Sequence, residues 1–197
     1  MPLRASSALG ARAARSAARR PTGTPALSTA QGPAAAKAAA ATRAAAALAS
    51  AHRWVTPLDV RYTLTSRFGM RWGSMHPGQD FAVAVGSPIK AMSSGTVIFA
   101  GWAGGYGNKV EIRYWNGTIS WYAHNSRLQV AVGTSVSPGQ VVALSGNTGH
   151  STGPHSHIEI HLGGDNTVAS AVPPLPWLNT HRNMPGRSVG GSSTASD

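Results

Sequence analysis

Short apolar runs separated by turn residues make up most of the chain from Trp54 onwards. Gly, Pro, Asn or Ser bounds each run, and the pair Asn116–Gly117 between two of them strongly favours a β-hairpin. Residues 54–164 show no helical period, so we predict a mainly β, antiparallel domain. The strands are expected around 97–100, 110–114, 119–123, 141–144 and 158–162.

The segment from His155 to Leu162 alternates polar and apolar residues, as a strand does when its two faces meet different surroundings. One face would carry three imidazoles and a carboxylate, and the other would point into the core. The preceding Gly153–Pro154 pair predicts that the strand begins near His155. The polar face comprises His155, His157, Glu159 and His161, and the apolar face comprises Ile158, Ile160 and Leu162.

Two further histidines stand near turn or strand-end signals. His76 and Asp80 are four residues apart, but the intervening Pro-Gly excludes a helix, so only a turn could bring both side chains to one point. His124 follows an apolar run, where a lone histidine is most often bonded to backbone. Taken together, two histidines and one aspartate are a plausible ligand set for catalytic zinc, and the remaining histidines are then available for proton transfer.

The composition of the chain limits the kinds of chemistry that it can perform. The chain has 197 residues, a formal net charge of +11 and no cysteine. Disulfides and thiolate chemistry are therefore excluded, and any metal must be held by nitrogen and oxygen. No strongly apolar run reaches the length of a membrane span.

The basic charge is concentrated in residues 1–53, which hold eight Lys or Arg, 22 alanines and no acid. The simplest interpretation is a disordered or weakly helical solvated tail. Two alternatives are an export signal over 34–51, which Lys37 and Arg43 interrupt, and an organellar transit peptide. A nucleic-acid-binding arm has no support, because no aromatic residue precedes Trp54.

The end of the chain differs from the body. The proline-rich stretch 173–178 cannot be a central strand, and we expect its Trp177 and Leu178 to pack against the domain. We therefore predict three parts: a low-complexity tail or targeting segment over 1–53, a folded domain over 54–182, and a disordered tail over 183–197.

Five motifs occur in order along the domain: SRFGMR (66–71), HPGQDF (76–81), GYGN (105–108), YAH (122–124) and GHSTGPHSHIE (149–159). With these motifs the chain resembles the lysostaphin/LytM-type family of zinc metalloendopeptidases, which cut peptide cross-links of bacterial peptidoglycan. The resemblance covers roughly residues 61–164.

The resemblance implies a fold, a metal and a division of roles. The fold would be two β-sheets forming a groove with one Zn²⁺ at its floor. His76, Asp80 and His157 match the zinc ligands, whereas His124 and His155 match the two catalytic histidines that bind no metal. The chain would then be a metal-dependent hydrolase whose substrates are peptidoglycan peptide stems and cross-bridges.

Some positions depart from the family pattern, but none of them is one of the five ligand or catalytic positions. Gln79 and Asn125 stand where aliphatic residues are commoner, and Ser156 separates the paired histidines in place of leucine. These departures bear on packing and substrate preference. We expect Glu159 either to orient an imidazole or to be a plain surface carboxylate, and His161 to lie beyond the groove. His52, His150 and His181 are expected to be structural or solvated.

Two rival functions are weaker than the enzyme. A degenerate family member would bind the wall without catalysis, but such proteins typically lose metal ligands, and all are present here. A nucleic-acid-binding protein would leave the ordered motifs unexplained, so no nucleic acid is expected as a partner.

The positive charge predicts attraction to anionic cell-wall polymers, hence an extracytoplasmic, secreted or wall-associated site of action. A virion-associated lysin is the alternative.

Overall fold

The computed structural model describes residues 32–181, which form two α-helices and thirteen β-strands. Residues 1–31 and the predicted disordered tail 183–197 lie outside the described residues. The helices are α1 (Pro33–Ala51) and α2 (Pro174–His181). The strands are β1 (Thr63–Leu64), β2 (Gly69–Arg71), β3 (Ser74–His76), β4 (Gln79–Ala82), β5 (Pro88–Lys90), β6 (Gly95–Trp102), β7 (Asn108–Tyr114), β8 (Ile119–Asn125), β9 (Arg127–Leu128), β10 (Ser135–Val136), β11 (Val141–Leu144), β12 (His155–His161) and β13 (Ala171–Val172).

Two sheets and a separate hairpin contain these strands. The large sheet has eight strands in the order β1-β4-β12-β8-β7-β6-β10, with β13 added to β12. The second sheet has the order β5-β11-β9, and β2 pairs with β3 in a hairpin. The pairings among these strands are antiparallel. The prediction of a mainly β, antiparallel fold is confirmed, and the Asn116–Gly117 turn joins β7 to β8 as expected.

The strand β12 lies between β4 and β8 in the large sheet and is buried on both faces. Ile158 and Ile160 point into the hydrophobic core, as the alternation predicted. The same prediction is wrong for Leu162, which is 41% exposed. The reason is that β12 ends at His161 and the chain then turns through two glycines with positive φ, Gly163 and Gly164.

The two helices lie outside the sheets. Helix α1 has no buried residue, in agreement with a solvated, partly helical segment, and its end stacks the His52 ring on Trp115 at 4.2 Å between centroids. Helix α2 was not predicted, although the packing of its Trp177 and Leu178 against the core was. Its prolines lie in the first turn, where a missing N–H costs no helical hydrogen bond. Neither described helix combines the length and apolar character needed to cross a membrane.

Substitution of two valines tests which residues form the core. Val142 is fully buried, whereas Val132 is 62% exposed. Val142→Ala should lower the free energy of unfolding by about 2 kcal/mol, because two buried methyl groups are lost and a cavity remains. The matched Val132→Ala should change it by less than about 0.5 kcal/mol. Urea unfolding measures both values, and equal losses would contradict this assignment of the core.

Candidate metal centre and groove

Two side chains that are close in sequence, His76 and Asp80, converge with the distant His157 at the large sheet. His157 of β12 lies directly opposite Asp80 of β4 in the strand register, and His76 ends β3 next to them. Nδ1 of His157 is 2.8 Å from Oδ1 of Asp80 and 3.1 Å from Nε2 of His76. Nε2 of His76 is 3.2 Å from the same Asp80 oxygen. All three residues are buried, and each offers one ligand atom to a group that can hold a metal ion.

Hydrogen bonds on the far side of each ring decide which nitrogen faces this centre. Nδ1 of His76 lies 2.8 Å from the backbone oxygen of Arg67, and Nε2 of His157 lies 2.9 Å from Oε1 of Glu159. Both outer partners are acceptors, so each ring donates its N–H outward. In the neutral form of both rings, two imidazole lone pairs and a carboxylate oxygen therefore face one another, and such a set of acceptors fits a cation.

The local charge favours a cation as well. Burial raises the pKa of Asp80, but the hydrogen bonds with His157 and His76 outweigh burial and hold that pKa well below its usual range. Burial lowers the pKa of His157, but the carboxylates of Asp80 and Glu159 outweigh it and raise that pKa. The centre thus keeps its aspartate ionised and stabilises positive charge. Nitrogen and oxygen donors of this kind suit zinc.

The other two predicted site residues, His124 and His155, lie beside this centre. Their ring centroids are 4.6 Å apart, and Nε2 of His155 is 3.7 Å from Oδ1 of Asp80. The Nδ1 atom of His124 is 2.8 Å from the Thr148 carbonyl, and that of His155 is 2.8 Å from the Gly153 carbonyl. Both rings therefore donate through Nδ1 and keep Nε2 as an acceptor.

His124 also has an unusual backbone. Its φ is +60°, in the left-handed region that non-glycine residues rarely adopt, and such strain is concentrated at functional sites. Burial, offset in part by the hydrogen bond to Thr148, lowers the pKa of His124 to about 4. The ring is therefore neutral at pH 7. The structure thus brings together all five residues predicted for the site, and their roles stay predictions.

Glu159 and His161 lie further along the polar face of β12. Of the two interpretations of Glu159, the structure supports the partner of an imidazole, since its carboxylate is fully buried against His157. His161, which is expected to lie beyond the groove, is fully buried, with Nε2 2.9 Å from Oε2 of Glu159. Burial alone would raise the pKa of Glu159, but the two imidazoles outweigh it and lower that pKa to about 2.

Two of the three departures from the family pattern make structural hydrogen bonds, whereas the buried hydroxyl of Ser156 makes none. The buried Gln79 donates to the Ser66 carbonyl at 2.8 Å, which ties β4 to the segment before β2. The buried Asn125 donates to the carbonyls of Tyr122 and Asn108 at 2.7 and 2.9 Å and so fixes the strand end that carries His124. Of the three other histidines, His52 and His181 stack on tryptophans and His150 is exposed.

A buried cation beside the centre is a feature that sequence analysis missed. The ammonium of Lys109 pairs with Glu111 and lies 3.6 Å from the ring centroid of Trp121 and 4.9 Å from that of Tyr106. The Tyr106 ring in turn lies 5.7 Å from that of His157. The strand pattern of β7 gives no indication of this cluster, because Lys109 and Trp121 meet only through the pairing of β7 with β8.

Comparisons with known proteins place the chain in a family. The profile of peptidase family M23 matches residues 74–169. The solved catalytic domain of lysostaphin from Staphylococcus simulans superimposes with a TM-score of 0.57 at 36% identity, covering 60% of this chain and 92% of that domain. The chain therefore belongs to peptidase family M23, which confirms the resemblance found in the sequence.

Two full-length relatives are longer than this chain. The DD-carboxypeptidase/endopeptidase Mpg of Neisseria meningitidis serogroup B is 41% identical over 60% of this chain. The peptidoglycan DD-endopeptidase ShyA of Vibrio cholerae is 36% identical over 55% of it. The matches span 29% of Mpg and 27% of ShyA, so the similarity is to one part of each relative.

Gly78 provides a test of the packing around the centre. A Cβ placed there would lie 2.6 Å from two atoms of the His157 ring and 2.7 Å from the Ile158 carbonyl oxygen. Gly78→Ala should therefore lower the free energy of unfolding by about 1–3 kcal/mol, the usual cost of overpacking. The matched control is Gly101→Ala, whose Cβ would meet only Phe99 at 3.7 Å. Thermal unfolding compares them, and a Gly78→Ala protein as stable as the control would contradict the geometry.

Proposed function

We propose that this chain is a zinc-dependent endopeptidase that hydrolyses peptide cross-links of bacterial peptidoglycan. The observation that carries the proposal is the convergence of three ligand atoms, from His76, Asp80 and His157, beside the rings of His124 and His155. When both rings are neutral and donate outward, no proton lies between the three atoms, and a bound cation relieves their mutual repulsion.

The proposed zinc ligands are Nε2 of His76, Oδ1 of Asp80 and Nδ1 of His157. Three protein ligands leave a coordination position free, which is typical of catalytic rather than structural zinc. When bound, zinc supplies a Lewis acid that polarises a peptide carbonyl and acidifies a water molecule. The buried positions of the three ligands and the outer hydrogen bonds of the two rings hold the donor atoms in place before the metal arrives.

His124 and His155 are the proposed acid–base residues. Each donates through Nδ1 to a backbone carbonyl, which fixes the ring and leaves Nε2 free to accept a proton. Either imidazole can take a proton from the attacking water at Nε2 and then return that proton to the leaving amine. Because the rings lie next to each other, both can contact the same peptide bond.

The substrate is inferred from the relatives and from the retained site. ShyA is named a peptidoglycan endopeptidase and Mpg a DD-carboxypeptidase/endopeptidase, and both match the part of this chain that holds the centre. A degenerate, non-catalytic family member is the rival. It is disfavoured because all five site positions are present and close together, whereas loss of any one ligand would leave an unpaired buried acceptor.

Action outside the cytoplasm, in the wall, follows from such a substrate. The net charge of +11 adds a second, less specific attraction, since cell walls carry anionic polymers. Eight basic residues in 1–53 supply most of that charge. Within the described segment 32–53, Lys37 and Arg43 are exposed on α1 and available for such contacts.

Digestion of purified peptidoglycan tests the proposed reaction. Zinc-loaded protein should release soluble fragments with new peptide termini and intact glycan strands, as read by mass spectrometry. His76→Ala should lose both zinc and release. His124→Asn, which suits the positive φ, and His155→Gln should keep zinc and lower the rate of release by at least about 100-fold. The control His52→Gln should leave release unchanged.

Two results would contradict the proposal. Cleavage of glycan bonds would exclude an endopeptidase. Undiminished release by His76→Ala, or by the wild-type protein after complete removal of zinc, would show that the centre is not used. Bound zinc without any release would favour the non-catalytic rival.

The proposed electrostatic attraction predicts salt-dependent wall binding. At about 0.05 M NaCl the full chain should sediment with walls that retain their anionic polymers, and at about 0.5 M most of it should stay in solution, because the Debye length becomes short. Walls stripped of those polymers should bind less protein at low salt. If salt and stripping leave the bound fraction unchanged, charge does not direct the binding.

A further inference from the structure

A line of buried polar side chains continues from the metal centre along β12. Beyond His157, the same face of the strand carries Glu159 and then His161, and both are fully buried. The carboxylate of Glu159 reaches both neighbours, since Oε1 is 2.9 Å from Nε2 of His157 and Oε2 is 2.9 Å from Nε2 of His161. Glu159 thus contacts both imidazoles: it accepts a hydrogen bond from His157, whereas its contact with His161 is a close approach without hydrogen-bond alignment.

The far end of this line is attached to the loop that follows β12. Nδ1 of His161 lies 2.9 Å from the Thr167 carbonyl and 3.1 Å from Oγ of Ser170. Oγ of Ser170 also donates to the Thr167 carbonyl at 2.7 Å, which closes the loop on itself. The Trp121 ring covers His161 at 4.5 Å between centroids. The line therefore runs from the metal centre to the loop after β12, and the loop's own hydrogen bonds fix the far end of the line.

The direction of the hydrogen bonds indicates what this line of side chains does for His157. Glu159 can only accept from His157, so Nε2 of His157 must donate and Nδ1 is the nitrogen that faces Asp80 and His76. Nε2 of His161 faces Oε2 of Glu159 and Nδ1 faces the Thr167 carbonyl, so the ring is held from both sides. His161 thereby holds Glu159 in the orientation that His157 requires.

Fold stability alone does not account for this arrangement. Burying a carboxylate and an imidazole is costly, and well-packed apolar residues of similar size are often as stable or more so. Apolar residues cannot, however, accept the Nε2–H of His157. A hydrogen bond of this kind fixes the tautomer and ring orientation of a metal-binding histidine and increases its basicity.

We propose that Glu159 and His161 are positioning residues for the metal ligand His157, with the loop 165–170 as their anchor. The proposal rests on the proposed zinc function and extends it to residues that touch neither metal nor substrate. It makes zinc affinity depend on the loop, through three side chains in series.

Zinc affinity measured in competition with a chromophoric chelator tests the proposal in the full chain. Glu159→Gln keeps an acceptor for His157 but removes the charge, and His161→Gln removes the ring that holds Glu159. Each should weaken zinc binding by about 10–100-fold and change the visible absorption of the cobalt-substituted protein. The double variant should lose less than the product of the two single effects, because both act through one hydrogen bond. His52→Gln is the matched control and should bind zinc as the wild type does.

The outcomes separate this proposal from the function on which it rests. If the wild type binds no zinc, the proposed function fails and the positioning role fails with it. If the wild type binds one zinc and both single variants bind within twofold of it, with unchanged cobalt spectra, the positioning role alone is wrong. Should the variants fail to fold without metal, Ser170→Ala decides: about fivefold weaker zinc binding supports the anchor, and unchanged binding overturns it.

Discussion

The antiparallel register of β12 against β4 is the constraint on which the rest of the site depends. This register places His157 opposite Asp80. The same strand pairs with β8, in which His124 is the second-last residue. A slip of one residue would turn His157 into the core and Ile158 towards the groove. Burial of Ile158 and Ile160 opposes that slip, so the hydrophobic core and the metal centre specify the same register.

Backbone carbonyls then determine the chemistry of the histidines. Three rings donate Nδ1–H to a carbonyl, of Arg67, Thr148 or Gly153, and the fourth donates Nε2–H to a carboxylate. Each of these four rings thus has one nitrogen occupied by its outer partner and the other nitrogen available. This explains how four neighbouring histidines can serve either as metal ligands or as proton acceptors within one fold. The two roles differ only in where the available nitrogen of each ring lies.

Much of this organisation could be predicted from sequence, and the exceptions have physical causes. Alternation along β12 identified the face shared by His155 and His157, and the Pro-Gly turn after His76 indicated that Asp80 could come close. The carbonyls that orient the rings could not be predicted, because a backbone acceptor leaves no mark on residue type. The burial of His161 depends on the loop that folds over it, and the pairing of Lys109 with Trp121 depends on strand register. Neither is encoded in a local pattern.

The central claim is that His76, Asp80 and His157 form one site for a divalent cation, because three acceptors face one another there. Anomalous diffraction at the zinc absorption edge, from crystals of the zinc-loaded chain, tests it most directly. We expect one strong peak within bonding distance, about 2.0–2.2 Å, of Nε2 of His76, Oδ1 of Asp80 and Nδ1 of His157. A peak elsewhere, or none in protein shown to contain zinc, would contradict it.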